Sequence, residues 1–257
     1  MNKSIKRILA YGCSFTAGAE IMDHVVMGVS FEECNRQKLN YLKNNKAPSS
    51  FNQDFNIEWN NPLGRNSTWP AQLAHLLGLE FENRAINGTS LDENYLKIYN
   101  DYNQGLILED DLVLVGLTSM NRMIDFRSNE KIATFMFRNI PNEASSKLLL
   151  DICNDDYLVF QYFKTLILLN GFNSKMQLRM QPMTITILDT WLMHLNNPHT
   201  KQFAKDVWSS IIDNVLLPEE FLKRPEVNGV EIACGFEHPP LESHTELANK
   251  IFERVKF

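Results

Sequence analysis

A serine hydroxyl attacks an ester only when a neighbouring base takes its proton, and this chain carries the two partners near its opposite ends. Ser14 lies in Tyr11-Gly-Cys-Ser-Phe-Thr16, and His238 lies in Glu237-His-Pro-Pro240. The oxygen that turns negative after attack needs donors aimed at it. The backbone N–H groups of Ser14 and Gly88, with the Thr118 hydroxyl, are of the right type, and glycine at 88 lets the backbone approach closely. Glu237 is the carboxylate nearest in sequence that could orient the imidazole. Asn121 and Arg122 are candidate substrate ligands, Arg122 suiting either an anionic group of the substrate or a salt bridge that fixes its loop. Cys13 adjoins Ser14 and is a rival nucleophile. A small buried residue at a strand end accounts for it better, because alternation turns neighbouring side chains to opposite faces. His244 reads as a group that packs or caps locally, outside the catalytic set.

These segments share a position relative to the elements that would hold them. Residues 5–11 form an apolar run stopped by Gly12, residues 79–86 form a second, and residues 112–117 (LVLVGL) a third. A run that is apolar on both faces belongs in a parallel sheet covered on both sides. Residues 184–189 (TITILD) and 230–233 are the expected fourth and fifth strands. The segments of Ser14, Gly88 and Thr118 follow the first three strands and that of His238 follows the fifth, at the edge where open α/β sheets bind ligands.

Helical patterns lie between the strands. Trp69, Leu73, Leu76 and Leu77 share a face, with Ser67 or Thr68 as cap, Pro70 in the first turn and Gly78 as stop. Trp69 reads as a staple at the helix start. Ser90-Leu-Asp-Glu93 has the spacing of a capping box, and Leu91, Tyr95, Ile98, Tyr99 and Tyr102 continue one stripe whose tyrosines read as packing rather than a sugar platform. Residues 155–170 and 200–215 read as further helices, the first of them buried, and Leu247, Ala248, Ile251, Phe252 and Val255 form the face of a last one. The alternation predicts a three-layer α/β/α sandwich around a central, mostly parallel sheet of about five strands. A single domain over 1–257 is expected. Its Asn-rich residues 20–65 form an irregular insertion, either shaping a substrate site or covering one.

Composition narrows the function classes. With 44% apolar and 22% charged residues the chain is of ordinary globular type, and 25 Lys+Arg against 31 Asp+Glu leave a net charge of −6. No general attraction to nucleic acid or an anionic bilayer is expected. The apolar runs are too short for a membrane span or a signal-peptide core, which predicts a cytoplasmic location. Cys13, Cys34, Cys153 and Cys234 lie far apart, without metal-binding spacing, so free thiols are expected and neither a metal nor an organic cofactor.

The blocks, in this order, resemble those of the SGNH (GDSL-type) hydrolases, which have a flavodoxin-like α/β/α fold. Tyr11-Gly-Cys-Ser-Phe-Thr16 is similar to the family's G-D-S-x-T block, residues 68–74 and 83–90 to the run into its second block, and His238-Pro239 before a helix to its last. The resemblance implies an esterase with Ser14 as nucleophile and His238 as base, acting on a small-molecule or glycan ester, most typically an O-acetyl carbohydrate ester. It also resembles divergent members of the family from bacterial viruses, a likeness that would place it in a virion or an infected cell. The family's first-block aspartate is Cys13 here and its third-block asparagine falls on Thr118, with Asn121 further on. The position three residues before the histidine, usually the triad aspartate, is Gly235. Either Glu237 or a main-chain carbonyl then orients His238. A glycan-binding or structural protein that lost catalysis, and an O-acyltransferase, are the rival functions.

Overall fold

The structure is a computed structural model that describes residues 4–17, 27–44, 62–86, 88–117, 122–125, 133–136, 155–184, 195–211, 226–227, 230–231 and 241–254. Its centre is a parallel sheet of four described strands: β1 (Arg7–Tyr11), β2 (Glu80–Asn83), β3 (Asp111–Leu117) and β6 (Arg179–Thr184), in the order β2-β1-β3-β6. Register runs Ile8↔Phe81, Ile8↔Leu112 and Leu112↔Arg179 across the three pairings. Strand order reverses beside β1, between β1 and β3, which is the switch point where a doubly wound sheet opens a crevice at its carboxyl edge.

The period-two alternation of β1 and β3 divides the core. Leu9, Tyr11, Val113, Val115 and Leu117 point to one face, which is covered by α5 (Leu91–Asn103), α6 (Asp155–Met176) and α7 (Pro198–Ile211). Ile8, Leu112 and Leu114 point to the other, covered by α4 (Trp69–Leu77) and α8 (Leu241–Arg254). All of β3 is buried, as a strand covered on both faces must be. The three-layer α/β/α architecture follows from this division.

Three expectations change. The described fourth strand is Arg179–Thr184, which begins before the expected 184–189, and residues 185–189 lie outside the described residues. Its Pro182 pairs with Val115 on the outermost described strand, where a missing N–H costs no ladder bond on the open side. Val230–Glu231 is not a strand of the main sheet among the described residues. It pairs antiparallel with Glu226–Val227 in register Val227↔Val230, and Asn228-Gly229 between them is the dipeptide that favours a two-residue hairpin. Phe252 stands 45% exposed, outside the buried face of α8 that Leu247, Ala248 and Ile251 make.

Other elements were not anticipated. Within the expected insertion lie α2 (Phe31–Lys43) and α3 (Pro62–Arg65), following the short α1 (Ser14–Ala17). After β3 comes an antiparallel hairpin of β4 (Arg122–Asp125) and β5 (Ala133–Met136). The stripe of α5 packs as expected: Tyr95, Tyr99 and Tyr102 all surround Phe172 of α6, with ring centroids 5.4–6.3 Å apart. Helix α6 buries Val159, Phe163 and Leu166 but leaves Phe160, Ile167 and Leu168 exposed, so it is buried on one side only. No described helix is long and apolar enough to cross a membrane.

Candidate active site

The segment bearing Ser14 is seated by two glycines and a threonine. β1 ends at Tyr11, Gly12 takes φ +155, and Ser14 opens α1. Thr16 is buried, and its Oγ1 would lie 2.4 Å from a Cβ at Gly12 and 1.9 Å from a Cβ at Gly116. Only glycine at both positions lets the turn after β1 lie down on the end of β3. Cys13 is buried in the cluster containing Trp69, Leu114 and Ala248, which agrees with its reading as a packing residue.

The loop after β2 is bonded to the same turn. The Gly12 carbonyl accepts from the Ile86 N–H at 3.1 Å and from the Thr89 hydroxyl at 2.9 Å. Asn83 donates through Nδ2 to the Thr16 carbonyl at 3.1 Å, while its Oδ1 accepts the Ala85 N–H. Arg65 donates to the carbonyls of Asn83 and Ala85, at 2.6 and 3.3 Å. Asn94 then donates to Thr89 Oγ1. The segments of Ser14 and Gly88 therefore form one hydrogen-bonded edge. Gly88 itself is exposed at φ +81, and a Cβ there would meet nothing within 4 Å. Its positive φ is a conformation that favours glycine, and the space beside it is open.

Beneath this edge lies a buried polar group. Tyr11 donates to Asp101 Oδ2 at 2.8 Å, and the Arg84 guanidinium, 3.0 Å from both, also reaches Glu82 at 2.8 Å. Burial, reinforced by the Asp101 carboxylate, pushes the Tyr11 phenol well above its ordinary value. Burial opposes the charge on Arg84, yet its bonds to Glu82 and Tyr11 hold it protonated above the usual range. These charges are spent on one another and support the edge from below.

The far wall involves the C-terminal helix. Trp69 is the first residue of α4, and the cap expected of Ser67 or Thr68 is not made by Thr68, whose hydroxyl donates instead to the Arg65 carbonyl at 2.8 Å. His244 of α8, 1% exposed, accepts the Trp69 N–H through Nδ1 at 3.0 Å. His244 is thus a buried capping group that acts across the chain, not the local one expected. It belongs to a helix beginning at Leu241, three residues after His238.

Of the residues expected at the site, Gly88 and the backbone of Ser14 lie among the described residues, on segments joined through the Gly12 carbonyl. The Ser14 side chain, Thr118, Asn121, Glu237 and His238 lie outside the described residues. Arg122 opens β4 opposite Met136, and its side chain also lies outside them. Thr16, Asn83, Arg65 and Gly116 support the site without having been singled out for it. The two glycines ending adjacent strands were the available signal for Thr16 and Gly116, whereas Arg65 and Asn83 bond to carbonyls and leave no motif.

No protein-family model and no curated protein matches the chain. Solved structures do. A member of the G-D-S-L lipolytic family from Veillonella parvula matches at 11% identity and TM-score 0.44, covering 97% of this chain and 98% of its own. The psychrotrophic esterase EstA from Pseudoalteromonas sp., in a structure inhibited by monoethylphosphonate, matches at 10% and 0.46, covering 96% and 95%. A family two carbohydrate esterase from Clostridium thermocellum, in complex with cellohexaose, matches at 13% and 0.46, covering 99% of this chain and 65% of its own. In fold, this chain is similar to GDSL lipolytic proteins and carbohydrate esterases.

Proposed function

We propose that the protein is a serine esterase of the SGNH type, cleaving a small O-acyl ester, with an O-acetyl group on a carbohydrate as the favoured substrate class. The observation that carries the reading is the double acceptance at the Gly12 carbonyl, from Ile86 and Thr89, which joins the Ser14 turn to the Gly88 loop at the sheet's carboxyl edge. A nucleophile-bearing turn and an exposed glycine loop there supply what acyl transfer needs, an attacking oxygen beside backbone donors.

In this mechanism Ser14 Oγ attacks the ester carbonyl as His238 takes the hydroxyl proton. The N–H groups of Ser14 and Gly88, with Thr118, hold the negative oxygen of the tetrahedral intermediate. Its collapse breaks the bond to the alcohol, which leaves with the proton from His238. Water, deprotonated by the same imidazole, then hydrolyses the acyl-serine and frees Ser14. Glu237 or a main-chain carbonyl orients the imidazole, and Asn121 and Arg122 contact the alcohol portion.

A fluorophosphonate probe tests the nucleophile: one label is expected on Ser14 and none in Ser14→Ala. p-Nitrophenyl acetate should be turned over by the parent and lost in Ser14→Ala and His238→Ala by at least about 10³-fold. Faster acetyl transfer to an added sugar alcohol than to water would make it an acyltransferase. Glycan binding without label or turnover would leave a binding protein on this fold.

A further inference from the structure

We propose that His244 is a positioning residue for the base, tying the helix that follows His238 to the packing that seats the Ser14 turn. The inference rests on the esterase reading. Trp69 offers one of the unsatisfied N–H donors that open every helix, and Thr68 does not serve it with its side chain. The acceptor is His244 Nδ1 at 3.0 Å, supplied from 175 residues away in the sequence. Accepting at Nδ1 requires the neutral ring with its proton on Nε2, and the positive end of the α4 dipole disfavours an imidazolium there.

Helix α8 also meets this layer through apolar burial. Leu247, Ala248 and Ile251 share a buried cluster with Trp69, Leu73, Ala74 and Cys13. Apolar burial is non-directional and tolerates a small slide or rotation of one helix on another. The hydrogen bond does not, so it fixes the register of α8 against α4. That register sets where the chain enters the helix at Leu241, and His238 precedes Leu241 by three residues in the sequence. Trp69 binds both sides of this relation: its N–H holds α8, and its side chain belongs to the cluster of Cys13, the residue before Ser14. Loss of the bond lets base and nucleophile drift apart, and a misplacement of about 1 Å costs on the order of 10²-fold in rate.

The experiment compares His244→Ala, which removes the acceptor, with His244→Asn, whose Oδ1 replaces Nδ1, in the full chain. In His244→Ala, kcat for p-nitrophenyl acetate should fall about 10- to 100-fold with KM nearly unchanged, and the acid limb of the kcat/KM profile should move. His244→Asn should recover most of kcat and the parent profile. Circular dichroism checks that both are folded. Should His244→Ala fail to fold, His244→Asn decides against the parent: near-parent kcat and profile support the proposal, and a loss of tenfold or more in the folded variant overturns it. Parental kcat and profile in folded His244→Ala also overturn it, as does equal loss in both folded variants. An inactive parent would defeat the esterase reading, and His244 is then judged by the NMR titration of the His238 ring. A titration displaced in His244→Ala and restored in His244→Asn supports the proposal, and an undisturbed one overturns it.

Discussion

At Gly116 a single missing methyl group decides whether the candidate nucleophile has a seat. A Cβ there would fall 1.9 Å from Thr16 Oγ1, so Gly116→Ala forces either the threonine or the whole turn to move. Overpacking of this kind costs about 1–3 kcal/mol. Trimming the obstructing atom in Thr16→Ala/Gly116→Ala should return part of that stability, a coupling that urea unfolding of the two single variants and the double variant measures. Strictly additive costs would show that the two residues do not compete for the same space. Cys13→Ala makes the opposite point: it loses a buried sulfur and about 1 kcal/mol but should keep most esterase turnover, and a collapse matching Ser14→Ala would move the nucleophile to the thiol. The sequence marked Ser14 and Gly88 because small residues after strands stand out. Position 88 also has a positive φ, and the residue type alone does not separate that demand from close approach to a ligand.

Elements declared themselves where the determinant was local. Ser90 accepts the Glu93 N–H at 3.2 Å, as its capping-box spacing predicts, and Ser90→Ala should cost about 1 kcal/mol in thermal or urea unfolding. A change within about 0.2 kcal/mol would mean that the cap is redundant with the packing of Leu91. Helix α4 was equally legible over Trp69–Leu77, yet its cap was not, because a histidine 175 residues away leaves no local pattern. Strand β6 was not legible over residues 179–183 for a related reason. Pro182 argues against a strand there, and its tolerance follows from β6 being outermost among the described strands, a position nothing local reveals. The hairpin at Glu226–Val227 and Val230–Glu231 does have a local sign in Asn228-Gly229, beside the apolar run.

Across the whole molecule, charged pairs brace the two ends of the sheet. At the amino end Arg7 bonds both oxygens of buried Asp111, at 2.9 and 2.7 Å, and the Leu108 N–H bonds the same carboxylate at 2.7 Å. At the carboxyl end Tyr11, Asp101 and Arg84 form the brace beneath the candidate site. This second brace makes stability depend on alkaline pH. The folded Tyr11 phenol titrates above its unfolded value of about 10, so its contribution is complete below pH 10. As pH rises further, the unfolded chain loses the proton while the folded one keeps it, and stability falls by up to about 1.4 kcal/mol per pH unit for this group. Burial shifts Tyr162 in the same direction, so the parent carries at least two such terms. Tyr11→Phe removes one of them. Urea unfolding between pH 8 and 11.5 should show the variant less stable at pH 8, because the phenol's bonds to Asp101 and Arg84 are gone, but declining more shallowly above pH 10. The other ionisations largely cancel in the difference between the two proteins. Parallel alkaline slopes for parent and variant would mean that Tyr11 ionises in the folded state as readily as in the unfolded one, and that the brace does not hold its proton.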